Sequence, residues 1–203
     1  MYTIEPVFPT PLYKTQIQIS KDYKNNLENY FKKFEYVKHR SGTWGTNPTI
    51  HNLIDGEIFS NLKKQFEEHL TTYTKEVFKY DVEPYITQSW INLNPPGSYH
   101  SLHYHTNSLF SGVYYFDIPD GVPGIAFENV RKHCLEIFPT EWNQYNVHCW
   151  NVSVAEGDLI LFPSHMYHEV MENTSSETRV SIAFNSFLKG KIGNKDYVNE
   201  MEL

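Results

Sequence analysis

The chain has 203 residues, enough for one compact domain with its own core and too few for two of ordinary size. Its 17 basic and 24 acidic side chains leave a net charge of −7 without a dense basic run, so nucleic acid is not expected as the main partner. Apolar residues at 40% and aromatics at 16% exclude a disordered chain, and 15 Tyr with 13 Phe favour pleated, half-buried surfaces.

The opening, MYTIEPVFPTPLYK, has no cationic stretch followed by an apolar run and is not expected to be a signal peptide. Within it, VFPTPLY reads as an extended arm, because a residue before proline is pushed out of the α region. Leu27, Tyr30, Phe31 and Phe34 recur at helical spacing and predict a first helix from about Asp22 to Lys38. Ile58, Leu62, Phe66, Leu70, Tyr73 and Val77 form the apolar stripe of a second, from about Gly56 to Phe78. Such a stripe packs a helix on a sheet and carries no chemistry.

From Pro84 the period changes. YITQSWINLN alternates and stops at Pro95-Pro96-Gly97. LFSGVYYFDI, GIAFEN, NVHCWNVSV, DLILFP, HEVME and TRVSIAFNSF follow, separated by Gly, Pro, Asp and Asn. Gly112 and Gly124 are expected at tight backbone approaches. Helices first and six or more strands afterwards give an α+β, mainly β class. The expectation is one domain over 1–203: a helical buttress of two helices over about 20–80, a sheet-on-sheet barrel over about 84–188, and a polar, loosely held tail over 189–203. Cys134 and Cys149 show no CxxC spacing and read as reduced thiols. With no apolar stretch near the roughly 20 residues that span a bilayer, a cytoplasmic protein is expected.

The ten histidines matter by their placement. His100, His103 and His105 cluster in SYHSLHYHTNS. On a strand His103 and His105 share a face, and His100 has the opposite parity if the strand is regular that far back. In EGDLILFPSHMYHEV a turn leads into a buried strand and a break, after which His168 opens another strand with Val170 on its side. His165 is the other nearby candidate, but its parity differs from that of His168, and it reads as supporting the site from behind its ligands or as surface. In TRVSIAFN, Val180, Ile182 and Phe184 face one way, while Arg179, Ser181, Ala183 and Asn185 face the other, which suits a polar pocket. Trp90 and Asn92 share a strand face and are candidates for pocket lining or core. His51, His69, His133 and His148 are scattered and read as structural or exposed, and Cys149 beside Trp150 reads as packing.

The order HxH, then His168, then Arg179-x-Ser181 resembles the HxD…H…RxS order of 2-oxoglutarate-dependent oxygenases. FPTPLY, HxHTNSLFSGVYY, LFPS…H and RVSIAFN are similar to a family of small 2-oxoglutarate–Fe(II) oxygenases of bacteria and phages, related to the prolyl-hydroxylase-type enzymes. The resemblance spans the chain in outline and is most specific from about Trp90 to Asn185. It implies a double-stranded β-helix, the jelly roll shared with cupins, with Fe(II), 2-oxoglutarate as cosubstrate, and O2. His103, His105 and His168 would hold the metal on one face, leaving positions for bidentate 2-oxoglutarate and O2. Arg179 would meet the far carboxylate with a two-pronged hydrogen bond and Ser181 would add another. Tyr114 or Tyr115 would donate a further one, and Trp90, Asn92 and Asn185 would line the substrate pocket.

One departure stands out: the commonest motif has a carboxylate where this chain has His105, so the metal site carries one more uncompensated positive charge. His100 also remains open as a replacement for His103 or His105. The implied reaction is hydroxylation of an unidentified peptidyl residue or small molecule with release of succinate and CO2, its substrate selected by the loops 95–101 and 129–146. The competing expectation is a non-enzymatic or differently acting cupin-like metal-binding module. His105 favours that module, but Arg179 and Ser181 oppose it, since a bare metal site needs no carboxylate clamp. Self-association into a homo-oligomer is left open.

Overall fold

The computed structural model describes residues 1–130, 135 and 137–203. The Ser20 side chain accepts a hydrogen bond from the Tyr23 N–H and so starts helix α1, Lys21–Phe31. This helix stops well short of Lys38. The Tyr36 hydroxyl donates to the Phe31 carbonyl at 3.0 Å, and Tyr36–Lys38 pairs as strand β2 with β3, Trp44–Thr46. Cross-strand pairing thus overrides the helical spacing of the aromatics.

A 3₁₀ turn at Glu57–Phe59 leads into helix α2, Ser60–Thr72, which passes into a π turn at Tyr73–Val77. Leu62, Phe66, Leu70 and Tyr73 are fully buried as expected. Val77 is not: the wider π turn rotates it out of the stripe, to 45% exposure.

The strands form two antiparallel sheets. The larger runs β1 (Tyr13–Gln16), β9 (Asp158–Pro163), β6 (Phe110–Asp117), β11 (Arg179–Lys189), β4 (Glu83–Asn94), β3, β2. The smaller runs β5 (His100–His103), β10 (His168–Val170), β7 (Ile125–Glu128), β8 (Cys149–Val152). No strand pairing among the described residues closes the two into a barrel. The architecture is mainly β. β1 to β3 were not foreseen from sequence, nor was the hairpin of β12 (Lys191–Ile192) and β13 (Met201–Glu202) within the polar tail.

Both faces of β11 are buried, and they differ in kind. Ile182 and Phe184 join α1 and α2 in one hydrophobic core, where Phe66 stacks on Phe184 at 5.2 Å and meets Tyr114 at 5.4 Å. A second core of Tyr115, Ile125, Phe127, Ile160 and Phe162 combines residues of both sheets. Each such side chain removed from water contributes about 1.5–3 kcal/mol. Gly112 and Gly124 do mark close approaches: a Cβ would overlap the Phe184 ring at the first and the Val152 carbonyl at the second. Cys149 is half-buried on the edge strand β8, but its neighbour Trp150 is 47% exposed, so the expected packing does not extend to it. Cys134 and His133 lie outside the described residues.

Candidate metal and cosubstrate site

Inward-facing residues of the larger sheet follow from register. Arg179 pairs with Asn94, Ser181 with Asn92 and Tyr115, Ala183 with Trp90 and Val113, and Asn185 with Gln88 and Ser111. Directly paired residues share a face. Arg179, Ser181, Ala183 and Asn185 therefore look away from the helices, as their alternation suggests. Tyr115, not Tyr114, shares that face, because Tyr114 lies in the helix-side core.

In the smaller sheet His103 pairs with His168, and both project from the same face. β5 ends at His103, so His105 lies beyond the strand, where no strand alternation sets its direction. Its backbone N–H donates to the Ser164 carbonyl at 2.9 Å, which fixes it instead. Ser164 is itself held: its hydroxyl bonds those of Ser108 at 2.7 Å and Ser111 at 2.8 Å. The Ser111 hydroxyl also donates to Asn185 Oδ1, and Asn185 Nδ2 donates to Gln88 Oε1. Asn185, expected to line the pocket, thus spends both ends of its side chain in a network behind His105. Alternation along the chain could not reveal that network, since its members lie on different strands.

Ring nitrogens of His103, His105 and His168 all lie within 4.8 Å of one another, and Nε2 of His105 is 3.3 Å from Nε2 of His168. His103 Nδ1 sits 2.7 Å from the Ser101 carbonyl and His168 Nδ1 2.9 Å from the Met166 carbonyl. A carbonyl only accepts, so each Nδ1 carries its proton and each Nε2 offers a lone pair to a metal. Burial depresses the His105 pKa to about 4, helped by the neighbouring His103. Burial also depresses His168, to about 3, against an opposing hydrogen bond from its ring to Met166. Both stay neutral at physiological pH, as a ligand must. The donor set fits a divalent transition metal.

His100 also faces inward, against the parity expected of a regular strand. The register shifts by one residue between the pairs His168–His103 and Val170–His100, a β-bulge that turns His100 to the side of His103. It is not among the three clustered histidines. The Trp90 ring lies 5.8 Å from that of His105, and Asn92 is half-buried one row on. His165 is exposed, His51 is exposed, and His69 is bonded to the Tyr13 hydroxyl at 2.9 Å. His148 packs near Trp142.

Arg179 is 2% exposed. One guanidinium nitrogen donates to the Pro123 carbonyl at 2.9 Å, but its Nε has no partner. Burial lowers the Arg179 pKa while the Tyr115 side chain opposes this; a guanidinium nevertheless stays charged. A buried, charged group with a free donor fits a carboxylate and is costly without one. Of the loops expected to select substrate, 95–101 is tied to Asn173 by backbone bonds at Gly97 and Ser98. In 129–146, residues 131–134 and 136 lie outside the described residues.

A histidine cluster at the smaller sheet and a buried arginine on the larger are suited to a metal ion and a carboxylate. Residues 88–185 match the family model described as "Putative 2OG-Fe(II) oxygenase". The matched family implies Fe(II) as cofactor, with 2-oxoglutarate and O2 as cosubstrates. No curated protein matches the sequence. Among solved structures it resembles a 2OG-Fe(II) oxygenase-family oxidoreductase from Burkholderia pseudomallei (TM-score 0.62, 12% identity, 86% of this chain and 83% of that one). A Pseudomonas putida prolyl-4-hydroxylase matches at TM-score 0.55 and 14% identity, over 87% and 92% of the chains. HygX from Streptomyces hygroscopicus, solved with nickel, 2-oxoglutarate and hygromycin B, matches at TM-score 0.61 and 12% identity, over 87% and 82%. Among the described residues, no helix is long and apolar enough to cross a membrane.

Proposed function

We propose that the protein hydroxylates a peptidyl residue or small molecule, with His103, His105 and His168 as iron ligands and Arg179, Ser181 and Tyr115 as the cosubstrate carboxylate site. The observation that carries this reading is a cluster of three imidazoles, two on the smaller sheet and His105 just beyond its strand β5, together with a buried, incompletely bonded Arg179 on the larger sheet. Fe(II) with 2-oxoglutarate supplies the oxidising chemistry when bound: O2, 2-oxoglutarate and a C–H bond give succinate, CO2 and an alcohol. The chain's own residues orient and shelter. Ser101 and Met166 carbonyls aim two imidazoles, the serine network aims the third, and Arg179 fixes the cosubstrate's far end. Trp90, whose ring lies 5.8 Å from that of His105, and Asn92 would line the substrate pocket on this reading.

On this reading the two sheets form one jelly-roll barrel domain buttressed by α1 and α2, working in a reducing cytoplasm. A peptide or a small molecule suits the site equally; the prolyl hydroxylase from Trichoplax adhaerens was solved with a peptide and HygX with hygromycin B. The cupin-like module would need His103, His105 and His168 but not Arg179. The deciding assay supplies Fe(II), 2-oxoglutarate and air and measures succinate, with and without candidate peptides and metabolites. No succinate under any of these conditions, while the metal binds, would leave the module standing.

A further inference from the structure

We propose that Asn94 completes the cosubstrate site, its amide donating a hydrogen bond to the same 2-oxoglutarate carboxylate that Arg179 holds, with His100 fixing the orientation of that amide. The proposal rests on the oxygenase reading above and adds two residues that the arginine–serine pattern does not include.

Among the described residues, only two buried side-chain polar atoms have no hydrogen-bond partner: Arg179 Nε and Asn94 Oδ1. They belong to residues paired directly across β11 and β4, on the inward face. Paired side chains leave their backbones about 4.5–5.5 Å apart at Cβ. The two unsatisfied atoms are thus a single local feature. Arg179 is 2% exposed and Asn94 1%.

His100 is the third member. The β-bulge in β5 brings it inward, and its Nδ1 lies 3.4 Å from Asn94 Nδ2. That contact is long, and it leaves the amide oxygen unused. A half-turn of the Asn94 amide exchanges Oδ1 and Nδ2. Oδ1 then accepts from a protonated Nδ1 of His100, and Nδ2 points where the orphan oxygen pointed, beside Arg179 Nε. The result is a row of two free N–H donors, Asn94 Nδ2 and Arg179 Nε, with the amide held in that orientation by His100. A carboxylate, with about four lone-pair sites and no donor, complements that row.

The alternatives explain less. A purely structural asparagine bonds both ends, as Asn173 does: its Nδ2 donates to the Asn94 and Glu177 carbonyls and its Oδ1 accepts from Ser175. As a fourth metal ligand His100 is too remote. Its ring is 6.4 Å from that of His103, whereas the His168 ring is 4.3 Å from His103 and 5.1 Å from His105.

The test compares two ligands that chelate a metal alike but differ at the far end, 2-oxoglutarate and 2-oxopentanoate, which has a methyl group in place of the carboxylate. Both are titrated calorimetrically into Mn(II)-loaded parent, Asn94→Ala and His100→Gln proteins, and Mn(II) affinity is measured separately. The parent should prefer 2-oxoglutarate. Each variant should lose about tenfold of that preference, the scale of one charge-assisted hydrogen bond, with 2-oxopentanoate and Mn(II) bound as in the parent. Unchanged 2-oxopentanoate binding also certifies that the variant is folded; if one variant fails this, the other decides. An undiminished preference in the folded variants overturns the proposal. Weaker Mn(II) binding by His100→Gln overturns it too, by moving His100 into the metal set. A parent that binds Mn(II) but neither ligand refutes the oxygenase reading itself, a result separable from the others.

Discussion

His105 and His168 face each other with their Nε2 atoms 3.3 Å apart, though 63 positions separate them in the chain. Two nitrogens bound side by side on one metal at about 2.1 Å stand about 3 Å apart. The pair is therefore spaced for a shared ion before any ion is considered. His168→Ala should abolish stoichiometric Fe(II), Mn(II) or Co(II) binding, because the remaining two imidazoles leave an open, weakly chelating site. His105→Asp should keep binding and tighten it, since it restores the carboxylate of the commoner motif and compensates one charge. Competition against a chromophoric chelator measures both. Parent-like affinity in His168→Ala would show the ligand set to be wrong.

Arg179 separates cosubstrate binding from metal binding. Arg179→Ala should leave metal affinity nearly intact and weaken 2-oxoglutarate by at least about 2 kcal/mol, and by more if the carboxylate is left buried without a partner. Arg179→Lys should recover only part, because an ammonium lacks the planar fork. Ser181→Ala should cost about 1 kcal/mol. Calorimetric titration into the Co(II)-loaded variants resolves the series; equal affinity for parent and Arg179→Ala defeats the clamp.

The site was legible in sequence where alternation governs it. Arg179 and Ser181 fall on one face because β11 pairs regularly with β4 from Arg179 to Asn185, whereas choosing Tyr115 over Tyr114 took the register with β6. What alternation could not give is what pairing between distant strands imposes. The bulge that turns His100 inward exists only against β10, and the bond that fixes His105 comes from Ser164. The same holds for the fold: helical spacing ran α1 on to Lys38, whereas pairing with β3 claimed Tyr36–Lys38.

Packing around the helices makes a separate prediction. The Phe184 ring is fully buried and stacked on Phe66, so it cannot swing away from an added methyl at position 112. Gly112→Ala should destabilise by about 1–3 kcal/mol, and so lower Tm by several degrees. Val77→Ala should change stability by less than about 0.5 kcal/mol, because the π turn leaves Val77 exposed. Thermal unfolding of the two variants checks the pair; a costly Val77→Ala would mean that the stripe continues through the π turn.

Acid should destabilise the metal-free protein through its buried histidines. Burial holds the His100 and His105 pKa values at about 4 and that of His168 at about 3, against about 6.5 in an unfolded chain. Below pH 6.5 the unfolded chain takes up protons that the folded one refuses. Stability must then fall as pH drops, and the loss continues until each folded pKa is reached. The slope is at most about 1.4 kcal/mol per pH unit for each histidine. Between pH 7 and 5 few carboxylates titrate, so that window isolates the imidazoles. Urea unfolding of chelator-treated protein should show lower stability at pH 5 than at pH 7, and His168→Gln should flatten the dependence by removing one of the three. Bound Mn(II) should oppose the loss, since it holds the ligands neutral. Equal stability at the two pH values would mean that the rings accept protons within the fold, and would contradict the desolvated site described above.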